Sequence, residues 1–486
     1  MKTAMQRTLL WPWVSRALGM SALSLALSCA RAPLRTQRLV YDEQSERDRA
    51  LRAAEGRAVW VTRWDYKTAA DVRRIVDNCA RAGFNMIMFQ MRGNATAFYR
   101  SSIEPWAWEL TSTGPATTGR DPGFDPLAIA IERAHRRGVE LHAYMNVFPG
   151  WMSQKYPPAE VGQVWTKHPD WFVADRQSQK MIPWDRDLSP QKRNYYSFLN
   201  PANPEVKDYV VSVFREVAER YDVDGIHLDY CRYPDVGDYS YDPVSLSRFR
   251  EATGKTPDEA PDLWNEWRGG QVSEVVRRIH DECKKAKPDL IISASVMRDP
   301  TRSRERLMQC PLDWMAAGTI DVAFPMIYTS DSGEVGRSVT DYVGNRSGRL
   351  VFAGLRVPGN APKVLTDRQG RDSPGMTNNV QALLEQISVA RTTGAQGVSL
   401  FSYSVLFPKH KPSALAEALR KGPFSKPARV PLPSREYAGL IFPARVSRVQ
   451  AIIGQLRYVH KGSLAVGQLH SALSPSIPDT RCPMPD

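Results

Sequence analysis

The stretch "YDVDGIHLDYCRYP", residues 221–234, places a short apolar strand, "GIHLDY" (225–230), directly before a cluster of polar and aromatic residues. A pleated strand alternates its side chains, so Ile226, Leu228 and Tyr230 share one side and His227 and Asp229 the other. If the second side faces a closed interior, Asp229 stands at its open end and His227 one layer deeper. Seven further runs of strand length flank this one: 58–64, 85–91, 140–147, 290–296, 321–328, 350–357 and 397–403. Between them fall segments with helical periodicity, among them "AADVRRIVDNCARAG", "PEVKDYVVSVFREVAERY" and "VQALLEQISVARTTG". Near-continuous apolar strands joined by helical crossovers describe a buried parallel sheet. Eight such units over residues 56–425 predict an α/β fold, a (β/α)8 TIM barrel with long loops after strands two and three. An open doubly wound sheet would show a glycine-rich first turn, and none occurs.

In a barrel of this kind, chemistry collects where the strands end. Strand ends supply Asp65, Gln90, Arg92, Tyr144, Asn146, Asp229, Ser295, Tyr328, Arg356 and Tyr403, with Arg232, Asp235, Arg298, Asp299 and Asp331 just beyond. Carboxylates, amides, tyrosines and arginines without a Cys/His cluster suit a polyhydroxylated substrate better than a metal, and no metal or other cofactor is expected. His227 is read as an interior hydrogen-bonding residue, and Asp229 as a mouth acid that does more than pair with Arg232. The long loops carry Trp106, Trp108, Trp151, Trp165, Trp171, Trp184, Tyr195 and Tyr196. Trp151 and Trp171 are taken as stacking platforms for sugar rings.

The ends of the chain read differently. The formal charge of +13 is concentrated there: residues 1–28 carry three basic residues and no acid, and residues 426–486 carry eight basic against three acidic. With no matching motif in the body, this distribution does not describe a nucleic-acid groove. The run "ALGMSALSLALS" after Arg16 has the length of a secretory h-region, too short to span a bilayer, and it ends at Cys29. "Ala26-Leu27-Ser28-Cys29" resembles a lipobox, which predicts a signal peptide over 1–28, lipidation of Cys29 and a tether over 29–55. Such an anchor would hold the protein at a membrane of the cell envelope, the outer one if the host has one, since Ala30 follows the cysteine. Residues 426–486, rich in proline at both ends, are expected to be a linker and an unstructured tail, with a docked helix at 446–457 as the alternative. The remaining cysteines lack C-x-x-C spacing, and Cys79 and Cys283 sit in helical patterns as buried small hydrophobes.

Six blocks together resemble a known family: "RAVWVTRW", "FNMIMFQMRGNATAFYRSSIEPW", "FDPLAIAIERAHRRGVELHAYMN", "FLNPANPEVKDYVV", "YDVDGIHLDYCRYP" and "AFPMIYTSD". They are similar to successive blocks of the bacterial glycosyl-hydrolase-like family 10. The resemblance implies a barrel glycosidase whose polysaccharide substrate is a cell-wall glycan, peptide-free peptidoglycan strands first. It makes Asp229 the first acidic residue and Gln90, Arg92, Asn146, Arg232 and Tyr328 glycan contacts; Tyr144 belongs to the same mouth. Tyr230 and Met326 depart from the pattern, at positions where relatives carry an acid and a glutamine. Glycoside hydrolysis needs two carboxyl groups. The partner of Asp229 is sought among Asp331, Asp299, Asp65 and Asp235, in that order, since strand seven offers none. A barrel that binds glycans without cleaving them is the alternative.

Overall fold

The computed structural model describes residues 53–111, 114–183, 195–358 and 380–433. Cys29 and the signal segment, Trp184 and the 446–457 segment lie outside the described residues. Eight parallel strands close into a barrel: β1 (Gly56–Val61), β2 (Met86–Arg92), β3 (Glu140–Asn146), β4 (Gly225–Asp229), β5 (Ile291–Met297), β6 (Val322–Ile327), β7 (Leu350–Arg356) and β8 (Gly397–Phe401). Each pairs with its sequence neighbours, and β8 closes onto β1. The helices that follow the strands are α1 (Ala69–Arg81), α2 (Pro126–Arg136), α3 (Pro204–Arg220), α4 (Pro261–Ala286), α5 (Pro311–Ala316), α6 (Ser332–Gly344), α7 (Val380–Thr392) and α8 (Ala414–Lys421).

Local chemistry sets where these helices begin. Thr68 and Asp71 form a reciprocal capping box at α1. Asp125–Pro126 and Asn203–Pro204 open α2 and α3 with a capping side chain followed by proline at the first helical position. The same device opens two extra helices, Pro243–Thr253 after Asp242 and Pro300–Leu307 after Asp299.

The strand alternation divides the core in two. Ala58, Trp60, Met86, Met88, Tyr144, Val322, Phe324, Leu350 and Phe352 fill the barrel interior. Val59, Val61, Ile87, Phe89, Ile226, Leu228, Val398 and Leu400 face the helices in a larger apolar shell. Inside, the rings of Trp60, Phe324 and Phe352 meet edge-on at 5.9 and 5.1 Å. Gly354 on β7 leaves room for this packing, since a β-carbon there would stand 2.9 Å from the Trp60 ring and 2.7 Å from the Pro325 carbonyl oxygen.

Two expected boundaries shift. Ala428–Arg429 pairs in parallel with Ala53–Ala54, so the end of the tether and the start of the linker form a small sheet beside the barrel. The long loop after β3 carries its own antiparallel pair, Pro149–Trp151 with Ser197–Phe198.

Candidate active site

Asp229 is the last residue of β4 and stands level with Asn146 of β3. Its side of the strand faces inward, as Trp60 and Phe324 packed on His227 demonstrate. Only 8% of Asp229 is exposed. The Tyr144 hydroxyl donates to its Oδ2 at 2.9 Å and the Tyr230 N–H to its Oδ1 at 2.7 Å. Tyr230 reaches that position with a φ of +50°, a left-handed conformation that costs a side-chain-bearing residue roughly 1 kcal/mol. Burial raises the Asp229 pKa above the ordinary carboxyl range; Arg232 and the two donors oppose the rise, and Asp235 adds to it. Burial, and next the Asp229 charge, hold the Tyr144 hydroxyl protonated, so it remains a donor.

His227, two residues earlier, is fully buried. Trp60 Nε1, which can only donate, points at its Nε2 from 3.1 Å, so Nδ1 carries the proton and donates to Ser293 Oγ at 2.9 Å. Ser295 Oγ completes the set at 2.8 Å from Nε2. Burial pushes this imidazole well below its usual pKa, and it is a neutral packing residue.

Arg232 lies against the Tyr230 ring at 4.6 Å and pairs with Asp235 at 3.0 Å. Tyr230 in turn meets Tyr196 at 5.2 Å, and the Arg63 guanidinium lies 5.5 Å from the Tyr196 ring. Arg63 also covers Trp64 and pairs with the fully buried Glu109 at 3.0 Å. Burial raises the Glu109 pKa against the pull of Arg63. Tyr328, just past β6, stacks on Phe401 at 5.5 Å and lies within electrostatic reach of Asp229 and Arg356.

Asp331, expected to be the second catalytic carboxyl, is not part of this group. It caps α6, accepting from the Gly333 N–H at 2.8 Å and pairing with Arg337 at 3.2 Å, and its side chain is exposed. Those donors lower its pKa. The segment Asp331-Ser-Gly-Glu334 has the spacing of a helix start, a signal present in the sequence. Asp299 is likewise a cap, accepting from Arg302 N–H at 2.9 Å. Asp65 is held by Thr62, with burial raising it to about 6. Of the four candidates, Asp235 is the one whose charge bears on Asp229.

Trp151 and Trp171 are not platforms. Trp151 is fully buried, its Nε1 donating to the Lys155 carbonyl at 3.1 Å. Trp171 packs on Tyr209, stacks on His168 at 3.8 Å and donates to Glu205 at 3.0 Å. A loop of this length needs an apolar core of its own, and these rings supply it. Among the described residues, the exposed rings in the loops beyond the strand ends are Trp64, Tyr156 and Tyr195, and Tyr156 leans on the buried Trp165 ring at 6.2 Å. Trp64 stands three residues past the end of β1, and reading it as a strand residue hid it.

Arg92 is also withdrawn from the mouth. It is wholly buried, pairs with Glu104 at 2.7 Å and donates to the carbonyls of Asn146 and Val147. A register shift in β2 between Gln90 and Arg92 accompanies this turn toward β3. Gln90 accepts from the Arg63 N–H at 2.9 Å, and Asn146 donates to the Gly93 carbonyl at 2.8 Å, its buried Oδ1 unpartnered. These three residues brace the strand ends around Asp229. Cys79, Cys231, Cys283 and Cys310 are buried free thiols. Tyr403 turns outward to Asn78 and His410. A hollow of about 460 Å³ between α3 and α4 lies on the outer surface and is lined by paired charges such as Arg278–Asp208 and Arg277–Asp281.

Residues 55–345 match the family described as Glycosyl hydrolase-like 10. The chain is 29% identical over 318 residues to Glycosyl hydrolase YngK of Bacillus subtilis, covering 59% of this chain and 55% of that protein. It is 28% identical over 282 residues to Glycosyl hydrolase DigH of Escherichia coli K12, covering 52% and 56%. It thus spans about half the length of these curated relatives. The fold is similar to the PgaB (BpsB) glycoside hydrolase domain from Bordetella bronchiseptica, with a TM-score of 0.54 and 14% identity over 75% of this chain and 98% of that one. With more than half of its length matched, the chain belongs to the glycosyl hydrolase-like 10 family.

Proposed function

We propose that the protein is a glycoside hydrolase that cleaves a bacterial cell-wall glycan, peptide-free peptidoglycan strands in particular. The observation that carries the reading is Asp229: an inward, buried acid at the open end of a barrel, held by two donors and pushed toward its protonated form. A carboxyl in that state donates a proton to the leaving glycosidic oxygen. Asp235, ion-paired to Arg232 at 3.0 Å, is the candidate for the second carboxyl that glycoside hydrolysis needs. Trp64 and Tyr195 offer faces to neighbouring sugar rings. Family membership and the relatives' names support the reaction class; the resemblance of the strand-four block supports the substrate.

The test is incubation of the purified chain with peptide-free murein strands, followed by mass spectrometry. Shortened glycan fragments are expected, and intact strands after exhaustive incubation would instead favour a barrel that only binds. The same reading puts the protein at the cell envelope through a lipid on Cys29. Cys29→Ala should then move it from the membrane fraction to the soluble one with turnover unchanged. Continued pelleting in high salt would remove the anchor from the proposal.

A further inference from the structure

Arginines crowd the strand ends, and nearly all are neutralised. Arg63 pairs with Glu109, Arg92 with Glu104, Arg232 with Asp235 and Arg298 with Glu334. Arg356 differs. It is the last residue of β7, half-buried, and among the described residues no hydrogen bond or ion pair engages its guanidinium. Its direction follows from the strand: Phe352 fills the interior and Gly354 faces the Trp60 ring, so Arg356 is the next inward position, at the mouth. The register sets it level with Phe401 of β8, and one step beyond the Leu355–Ile327 pair, beside Tyr328. Tyr328 and Phe401 are themselves stacked, and Tyr328 feels the charges of both Arg356 and Asp229.

A half-buried guanidinium that no described carboxylate pairs, standing beside an apolar stack, is a costly arrangement unless an anion arrives. Its planar fork matches a carboxylate with two parallel hydrogen bonds. We propose that Arg356 binds a carboxylate carried by a sugar of the substrate, with the Tyr328 hydroxyl beside it. This deepens the glycoside hydrolase reading and rests on it. Two sugar acids present that group: a muramic acid whose lactyl carboxylate is free, and a uronic acid. In the first case the subsite explains a preference for peptide-free strands. A stem peptide converts the carboxylate to a neutral amide, which removes the charge and adds bulk where Tyr328 and Phe401 stand.

The experiment measures binding, so that it does not depend on turnover. The full chain carrying Asp229→Asn is titrated calorimetrically with free-acid murein glycans, with the same glycans after conversion of the carboxylates to methylamides, and with uronic-acid oligomers. Free-acid murein is expected to bind on the order of tenfold or more tighter than the amide, the scale of a hydrogen bond to a charged group. Adding Arg356→Gln should collapse that ratio to within about threefold, and Arg356→Lys, which keeps the charge without the fork, should fall between. Melting of each variant shows that it is folded. Preference for the uronic oligomer, lost with Arg356→Gln, identifies the second source. Equal binding of acid and amide by the Arg356 protein, or a preference that survives Arg356→Gln, overturns the proposal. Failure of the parent protein to cleave any glycan would strike the hydrolase reading alone, while the binding ratio would still decide the role of Arg356.

Discussion

His227 and Asp229 stand two residues apart on one strand, both inside the barrel, and burial drives both toward neutrality from opposite directions. Their surroundings differ. His227 is sealed among Trp60, Tyr144 and Phe324, and its ring nitrogens are taken up by Trp60, Ser293 and Ser295. It has no bonding capacity left for a substrate. Asp229 sits one layer higher, where the barrel opens, and its two donors leave lone pairs and a titratable proton. A shifted pKa therefore does not identify a catalytic group by itself. Spare bonding capacity at an accessible layer does.

The same contrast separates the loop tryptophans, and substitution should expose it most strongly there. Trp151→Ala is expected to cost about 3–5 kcal/mol of stability, as loss of a fully buried ring does. Turnover per folded molecule on short glycans should persist. Denaturant unfolding beside single-turnover rates checks this, and an unchanged midpoint with weakened glycan capture would return Trp151 to the binding surface.

Next in size is Asp229→Asn. The substitution keeps shape and removes the proton, so cleavage should fall by ~10²-fold or more, about 2.7 kcal/mol, with little change in melting temperature. Near-normal turnover in a well-folded variant would erase the distinction between the two layers. Trp64→Ala should be milder: a lost stacking face weakens long glycans by roughly 3–10-fold in KM and leaves short ones nearly untouched. An equal effect on both lengths would assign Trp64 to packing.

The smallest expected effect sharpens the electrostatics. A general acid works while protonated, so the basic limb of the kcat/KM profile should report Asp229 and lie above the ordinary carboxyl range near about 4. The Tyr144 hydroxyl favours the ionised form. Tyr144→Phe should therefore raise the Asp229 pKa further and move that limb to higher pH. A shift to lower pH would show that the hydroxyl donates to something other than the carboxylate during catalysis.

Local patterns in the sequence carried the barrel, the succession of its strands and the side of β4 that Asp229 shares with His227, while the packing of Trp60 and Phe324 on His227 showed that this side faces inward. Those patterns are periodicity within a few residues, alternation along a strand and capping at helix starts, which local spacing records. Even Asp331 was legible as a cap, had the helix after β6 been recognised. Tertiary structure alone decided which polar residues meet. Tyr144 reaches Asp229 across 85 positions of chain, and Arg63 finds Glu109 through a loop that no periodic pattern describes. It also turned Arg92 away from the mouth, buried Trp151 and Trp171, and left Trp64 exposed. Loop residues respond to whatever surface the barrel places beneath them. The free energy of burying an aromatic ring or pairing a charge is set by partners distant in sequence, so composition can announce such residues but only packing assigns them.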